Sequence, residues 1–308
     1  MNGARSRAPD ALVLGGGGIL GEAWMSAVLA GVRDAGGFDA RECDGYVGTS
    51  AGSIVAAALS AGVDPRSHLG ELPEQPAAPL VPKGAGGAVD RALRLGGAAA
   101  AIAGAPLAAM TLHSTARGGA VVRRAGLGRV PRGRRSLAQL RRMVDALGAR
   151  WDGRLRIAVV ELESGRRVML DGSGPPEASV GEAVQASCAI PGVFRPVTLA
   201  GGDYVDGGAW SPTNIDVVDV TRGGRVLCLN PTGSVNARTP LPLGAFGPIS
   251  RAIATVEALA LRRRGAHVTT ISPDGDSAGA MGVNLMDAGA RGAVIAAGFE
   301  QGRRLAGR

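Results

Sequence analysis

A serine flanked at two positions on either side by glycine, Gly48-Thr49-Ser50-Ala51-Gly52, has the spacing of a nucleophile elbow. There the chain leaves a strand, doubles back and enters a helix, and the glycines (Gly48 and Gly52) stand where a Cβ would clash. The serine then lies at the N-terminus of that helix, whose free N–H groups and dipole favour the negative charge developing on an attacked carbonyl. The pentapeptide alone is common. Its setting gives it weight, because Glu42–Val47 leads into it and the helix-forming run Ser53–Ala61 follows. Upstream, Gly15–Gly18 with Ile19, Leu20 and Gly21 makes a second glycine-rich loop. Over Gly16, Gly18 and Gly21 it fits a dinucleotide fingerprint, which also requires an acidic residue closing a second strand. Asp39 stands at the right distance but follows Gly36-Gly37-Phe38 instead of an apolar strand. The loop's other use, favoured here, is to aim the backbone N–H groups of Gly16, Gly17 and Gly18 at an oxyanion, a task that needs no side chain.

A hydrolytic serine needs a base, and histidine is the usual one. The chain has three: His68 close after the elbow helix, His113 at the end of an alanine-rich stretch, and His267 opening a strand-like segment. Only His267 satisfies a Ser-Asp-His order. Against them stands Asp206 in Tyr204-Val205-Asp206-Gly207-Gly208, at the end of a short strand-like segment. Asp-Gly-Gly by itself is a turn signal. Asp203, Asp44, Asp216 and Asp219 read as structural or surface acids, and Trp24 and Trp210 as packing residues beside the motifs.

These groups have to be positioned by regular elements. Ala11–Leu14 reads as a buried strand and Gly21–Arg33 as a helix, and the same strand-loop-helix logic repeats around Ser50. Repetition of that unit implies a parallel sheet covered by helices. Arg154–Glu161, Arg167–Leu170, Arg225–Asn230 and His267–Ser272 add strand candidates. Val184–Ala189 reads as a short helix before Pro191, Leu137, Leu140, Val144 and Leu147 recur at helical spacing, and Ala288–Leu305 is helical in pattern. Between them, residues 71–135 break the pattern, with clustered prolines, an uncharged run from Leu95 to Leu112 interrupted by Pro106, and then Arg123, Arg124, Arg129, Arg132, Arg134 and Arg135. This segment reads as a variable cap or insertion in a single domain spanning 8–308.

The hydrophobic fraction is 45% but only 3% of residues are aromatic, and there are 50 glycines, so the core must be built from small aliphatic side chains and close backbone approaches. The net charge of +8 rests on residues that, apart from Lys83, are all arginine. With so few stacking aromatics and no nucleic-acid motif, nucleic acid is not the expected partner, and an anionic lipid surface fits better. Cys43, Cys188 and Cys228 are widely spaced and suggest neither a disulfide framework nor a zinc site. MNGARSRAPD runs straight into the first strand without an apolar signal region, so a cytoplasmic location is expected.

The order of glycine loop, GxSxG and, far downstream, Asp-Gly-Gly resembles the patatin-like phospholipases, which carry a GGGxxG oxyanion loop, a GxSxG serine and a DG[AG] aspartate. Gly16, Gly17, Gly18 and Gly21 match the loop, Ser50 the nucleophile and Asp206 the base, followed by Gly207 and Gly208. Ala186-Ser187-Cys188-Ala189-Ile190-Pro191-Gly192-Val193-Phe194-Arg195-Pro196 is similar to the family's stretch before the aspartate, and the resemblance covers roughly residues 11–62 and 155–230. It departs at Leu20, where the family usually has arginine or lysine. The resemblance implies a three-layer α/β/α fold with a mainly parallel sheet and a Ser–Asp dyad acting on lipid esters, with no metal or cofactor. A nucleotide-binding domain and an inactive lipid-binding protein of the same fold are the alternatives.

Overall fold

A computed structural model describes residues 6–69, 116–174, 176–234 and 246–307 of the chain. Ala11–Leu14 form strand β1, buried throughout. Alternate side chains of a strand point to opposite faces. Leu12 and Leu14 accordingly join one apolar cluster with Trp24, Leu29 and Val55, and Ala11 and Val13 a second with Val226, Ala254 and Ala258. A strand apolar on both faces must be covered on both, which places β1 inside the sheet.

The other strands are β2 (Gly45–Thr49), β3 (Leu155–Glu161), β4 (Arg167–Leu170), β5 (Val197–Leu199), β6 (Gly202–Asp206), β7 (Arg225–Leu229) and β8 (His267–Ile271), in the order β5-β6-β3-β2-β1-β7-β8 with β4 also on β3. The pairs β1–β2, β1–β7, β2–β3 and β7–β8 are parallel, and those of β3 with β4 and β6, and of β5 with β6, are antiparallel. Helices α1 (Gly18–Asp34), α2 (Ala51–Ser60), α3 (Ala116–Arg129), α4 (Ala138–Ala146), α5 (Val180–Ser187), α6 (Phe246–Arg263), α7 (Gly275–Met281) and α8 (Arg291–Ala306) surround it. Side chains of α1, α2, α4, α5 and α8 fill the first cluster, and Ala254, Ala258 and Leu261 of α6 cover the opposite face. This is the expected three-layer α/β/α arrangement.

The many glycines let α1 and α8 touch backbone to backbone. A Cβ on Gly31 would lie 2.1 Å from Phe299 O, and one on Gly302 would lie 2.1 Å from Val28 O. Helix boundaries moved where local chemistry overrode pattern. α1 begins at Gly18 instead of Gly21, and α5 begins at Val180 instead of Val184 because Ser179 and Glu182 form a capping box ahead of it. Helix α6 was not anticipated, although Ile249, Ile253, Ala254, Ala258 and Leu261 carry a helical spacing.

Residues 71–115 of the expected insertion, with the Leu95–Leu112 run and His113, lie outside the described residues. Its described end forms α3 and a loop in which Arg135 bridges to Phe194 and its carbonyl accepts from Arg195 N–H at 2.8 Å. Among the described residues no helix is long and apolar enough to cross a membrane.

Candidate active site

Strand β3 is the template of the site. Ile157 and Ala158 pair with both β2 and β4, and Val159 and Val160 with both β4 and β6, so β2 and β6 must share one edge of β3 while β4 takes the other. β2 runs parallel to β3 and stops at Thr49, opposite Ala158. β6 runs antiparallel and stops at Asp206, opposite Val159. Two strands thus meet end to end, and the residue following one faces the residue ending the other. Ser50 Oγ donates to Asp206 Oδ2 at 2.7 Å.

Ser50 holds φ of 50° and ψ of −123°, a conformation that an L-residue keeps only when its surroundings impose it. They do so sterically: a Cβ on Gly52 would lie 1.9 Å from Leu14 O, and one on Gly48 2.5 Å from Ser53 Cα. Ser53 Oγ donates to Ser50 O at 2.6 Å. Asp206 is buried. Its backbone N–H donates to Ala189 O at 3.0 Å and its Oδ1 accepts the N–H of Gly208 at 2.7 Å. Burial lifts its carboxyl from 3.8 to about 6, against the downward pull of the Ser50 and Gly208 hydrogen bonds. Gly207 lies so close to β3 that a Cβ would come within 2.3 Å of Ala158 O.

The glycine loop is tied at its start. Gly15 N–H donates to Leu229 O at 3.0 Å and Gly16 N–H to Pro212 O at 2.8 Å. Gly16 therefore corrects one expectation: its N–H anchors the loop to the segment after Asp206 and is not free for an oxyanion. Among the described residues no carbonyl accepts from Gly17 or Gly18 N–H. Gly18, at φ of 60° and with Leu285 O 2.8 Å from any added Cβ, admits only glycine. Gly18 opens α1 and Ala51 opens α2, and both line a cleft of about 60 Å³ at Ser50 whose walls include Ile54, Leu140, Phe194 and Met286. Leu20, which stands at the family's cation position, is buried and donates its N–H to Leu285 O at 3.0 Å. Glu22 also lines the cleft, with its carboxylate bonded to Arg291.

The remaining candidates separate cleanly. His267 opens β8 opposite Arg225, the first residue of β7, and so lies at the other end of the parallel strands from Ser50. Asp39 is buried, caps a short 3-10 turn and pairs with Arg41 at 2.6 Å and Arg33 at 3.2 Å. The Arg41 hydrogen bond holds its carboxyl down at about 2, so the acid wanted by the nucleotide reading is already engaged. Asp203 pairs with Arg132 and Asp216 with Arg167. Trp24 is buried and donates to Gln301 Oε1 at 2.9 Å, and Trp210 stacks on Arg123 at 3.8 Å. The cysteines are free and buried, though Cys188 also lines the cleft. No cluster of histidine, cysteine and acidic residues among those described could hold a metal.

Sequence reading missed the supports of the elbow. Asn214, at φ of 54°, donates from Nδ2 to Thr49 Oγ1 at 3.0 Å and accepts from Arg167 at Oδ1, bracing the residue before Ser50. The asparagine after Pro212-Thr213 was a turn signal that could have marked it. Ser187 Oγ accepts the N–H of Ser50 itself at 2.9 Å, a contact with no local sequence signature.

The fold and this geometry define an α/β/α protein that sets an elbow serine against a buried carboxylate. The chain belongs to the patatin-like phospholipase family, whose model matches residues 12–219. That membership supports lipid-acyl hydrolysis at the level of the family. Among solved structures it is similar to VipD from Legionella pneumophila, with 15% identity and a TM-score of 0.44 over 97% of this chain and 67% of that one. It is also similar to the type III effector protein ExoU, with 16% identity and a TM-score of 0.34 over 97% of this chain and 54% of that one. The chain thus spans about half the length of the second. No curated protein matches.

Proposed function

We propose that this chain hydrolyses carboxylic esters of phospholipids or related lipids, with Ser50 as nucleophile and Asp206 as general base. The observation that carries the reading is the 2.7 Å contact from Ser50 Oγ to Asp206 Oδ2, made by a serine on a strained elbow. As Ser50 Oγ attacks the ester carbonyl, its proton passes to Asp206 and then to the departing alcohol. Water then repeats the cycle on the acyl-enzyme and releases the fatty acid. The N–H groups of Gly17 and Gly18, with that of Ala51 at the start of α2, are the donors for the oxyanion. Ile54, Leu140 and Phe194 give the acyl group an apolar wall. Labelling of Ser50 by a fluorophosphonate probe, followed by mass spectrometry of a mixed lipid extract incubated with the protein, tests the activity and identifies the lipid class. Failure of Ser50 to label would remove the hydrolase reading and leave an inactive lipid-binding protein of this fold.

The loop gives a separate test. A Cβ on Gly17 would lie 2.6 Å from Pro231 Cβ, so Gly17→Ala must displace the donors. We expect kcat to fall by about 10²–10³, with KM little changed, since the donors act on charge that exists only in the transition state. A rise in KM at unchanged kcat would argue against the role.

Lipid docking, expected of the segment 71–135, is proposed for its described part: Val121 and Val122 of α3 are 67% and 51% exposed, and Arg124, Arg129, Arg132 and Arg134 of the same segment are exposed. Binding to vesicles containing phosphatidylserine should weaken steeply between 0.1 and 0.5 M salt, as the Debye length falls below about 10 Å. Sedimentation independent of both salt and anionic lipid would remove the docking surface and leave the chemistry untouched.

A further inference from the structure

The turn at Ser50 breaks a hydrogen-bond ladder at a definable rung. Tyr46 N–H donates to Arg154 O at 2.8 Å. Continuing the even spacing of a parallel ladder, every second residue of β2 donates to every second residue of β3, and the N–H of Ser50 is due at Ala158 O. The chain has already left the sheet there, because the elbow requires it. In place of the direct bond, the Ser50 N–H donates to Ser187 Oγ at 2.9 Å, and Ser187 Oγ donates to Ala158 O at 2.7 Å. One hydroxyl, fully buried at the end of α5, completes the rung by serving as acceptor and donor at once.

The same corner holds the other half of the site. Ala189 O accepts the N–H of Asp206, and Gly207 rests against Ala158 O. A short corner from Ser187 to Ala189 therefore fixes the backbone of the nucleophile through a side chain and that of the base through a carbonyl. We infer that Ser187 is a positioning residue of the dyad: its hydroxyl replaces the missing rung and so lets Ser50 leave the sheet while its Oγ stays within reach of Asp206. Ser187 touches neither substrate nor the transferred proton. The inference rests on the hydrolase reading above.

The test uses the whole protein, with active sites counted by fluorophosphonate and a short-chain nitrophenyl ester as substrate. In Ser187→Ala we expect turnover per labelled site to fall by about a hundredfold, the loss typical of a small misplacement of reacting groups, with KM nearly unchanged. The rate of labelling should fall with it. Ser187→Thr, which keeps the hydroxyl, should recover most of that loss. Ser187→Cys, whose thiol is a weak hydrogen-bonding group of similar shape, covers the case in which the alanine variant does not fold and should lose at least about tenfold. A purely structural role would lower the number of labelled sites and leave turnover per site unchanged, and that result overturns the inference alone. An unaltered protein that does not label at Ser50 overturns the hydrolase reading and this inference together.

Discussion

Turnover of a short-chain nitrophenyl ester is expected to fall by about four to six orders of magnitude in Ser50→Ala and nearly as far in Asp206→Asn, with the double variant scarcely worse than either. Residues that act as one unit are non-additive, and the proposed dyad makes each useless without the other. The stronger half of the expectation is that no histidine takes part. A carboxylate is a much weaker base than an alkoxide, so proton transfer from Ser50 becomes feasible only when the charge passed to the substrate is caught as it forms. Three features meet that need: a 2.7 Å contact between the groups, a carboxyl raised by burial to about 6, and two helix N-termini opening on the cleft. His267 stands at the far end of the sheet from Ser50. Simultaneous replacement of His68, His113 and His267 should therefore leave most of the activity in a folded enzyme. A dead triple variant beside an active Asp206→Asn would mean a histidine base, and the dyad would be wrong.

The second expectation concerns pH and has opposite signs for activity and stability. Asp206 must be ionised to accept a proton, so kcat/KM should fall about tenfold per pH unit below about 6, the value burial gives its carboxyl in the free enzyme. Folding responds the other way. Because the folded value lies above the unfolded 3.8, the native state binds the proton more tightly. Stability from this group is thus fully present below 3.8 and is lost as pH rises through about 6. A rise from 3.8 to about 6 corresponds to about 3 kcal/mol, so the ionised carboxylate is a net strain on the fold at neutral pH. Asp206→Asn should gain up to about 3 kcal/mol over the parent between pH 3.5 and pH 8, while remaining inactive. Asp39, held down to about 2, works in the reverse sense, but it is common to both proteins and drops out of the difference. Urea denaturation of the two proteins across this range decides the matter: a stability difference that does not change with pH would show that Asp206 is not held at a raised pKa.

How much of this could be read from the sequence depends on whether the cause was local. The strands at Ala11–Leu14 and Arg167–Leu170 were legible to the residue, because each is a short, largely apolar run bounded by turn residues. Ser50 and Asp206, which the structure brings into contact, were singled out through glycines, whose positions mark where backbones crowd. The start of α5 was not found, since the pattern drew attention to Val184 while the capping box at Ser179 decided it. The status of Gly16 was also beyond reach, as its N–H is claimed by Pro212 O, far away in sequence. Ser187 and Asn214 share that obscurity. Both support the elbow through single hydrogen bonds that exist only once the sheet is assembled.

The end-to-end meeting on β3 also means that the contact between Ser50 and Asp206 belongs to the assembled sheet alone. Ser50 and Asp206 lie 156 positions apart, the one just after β2 and the other at the end of β6, strands that share β3 as partner without pairing with each other. A slip of one residue by either strand would move its terminal group by about 3.3 Å and turn it to the opposite face. A slipped strand therefore does not keep the 2.7 Å contact. A nascent chain therefore carries Ser50 without its carboxylate partner until β3 and β6 have both been synthesised and docked in register.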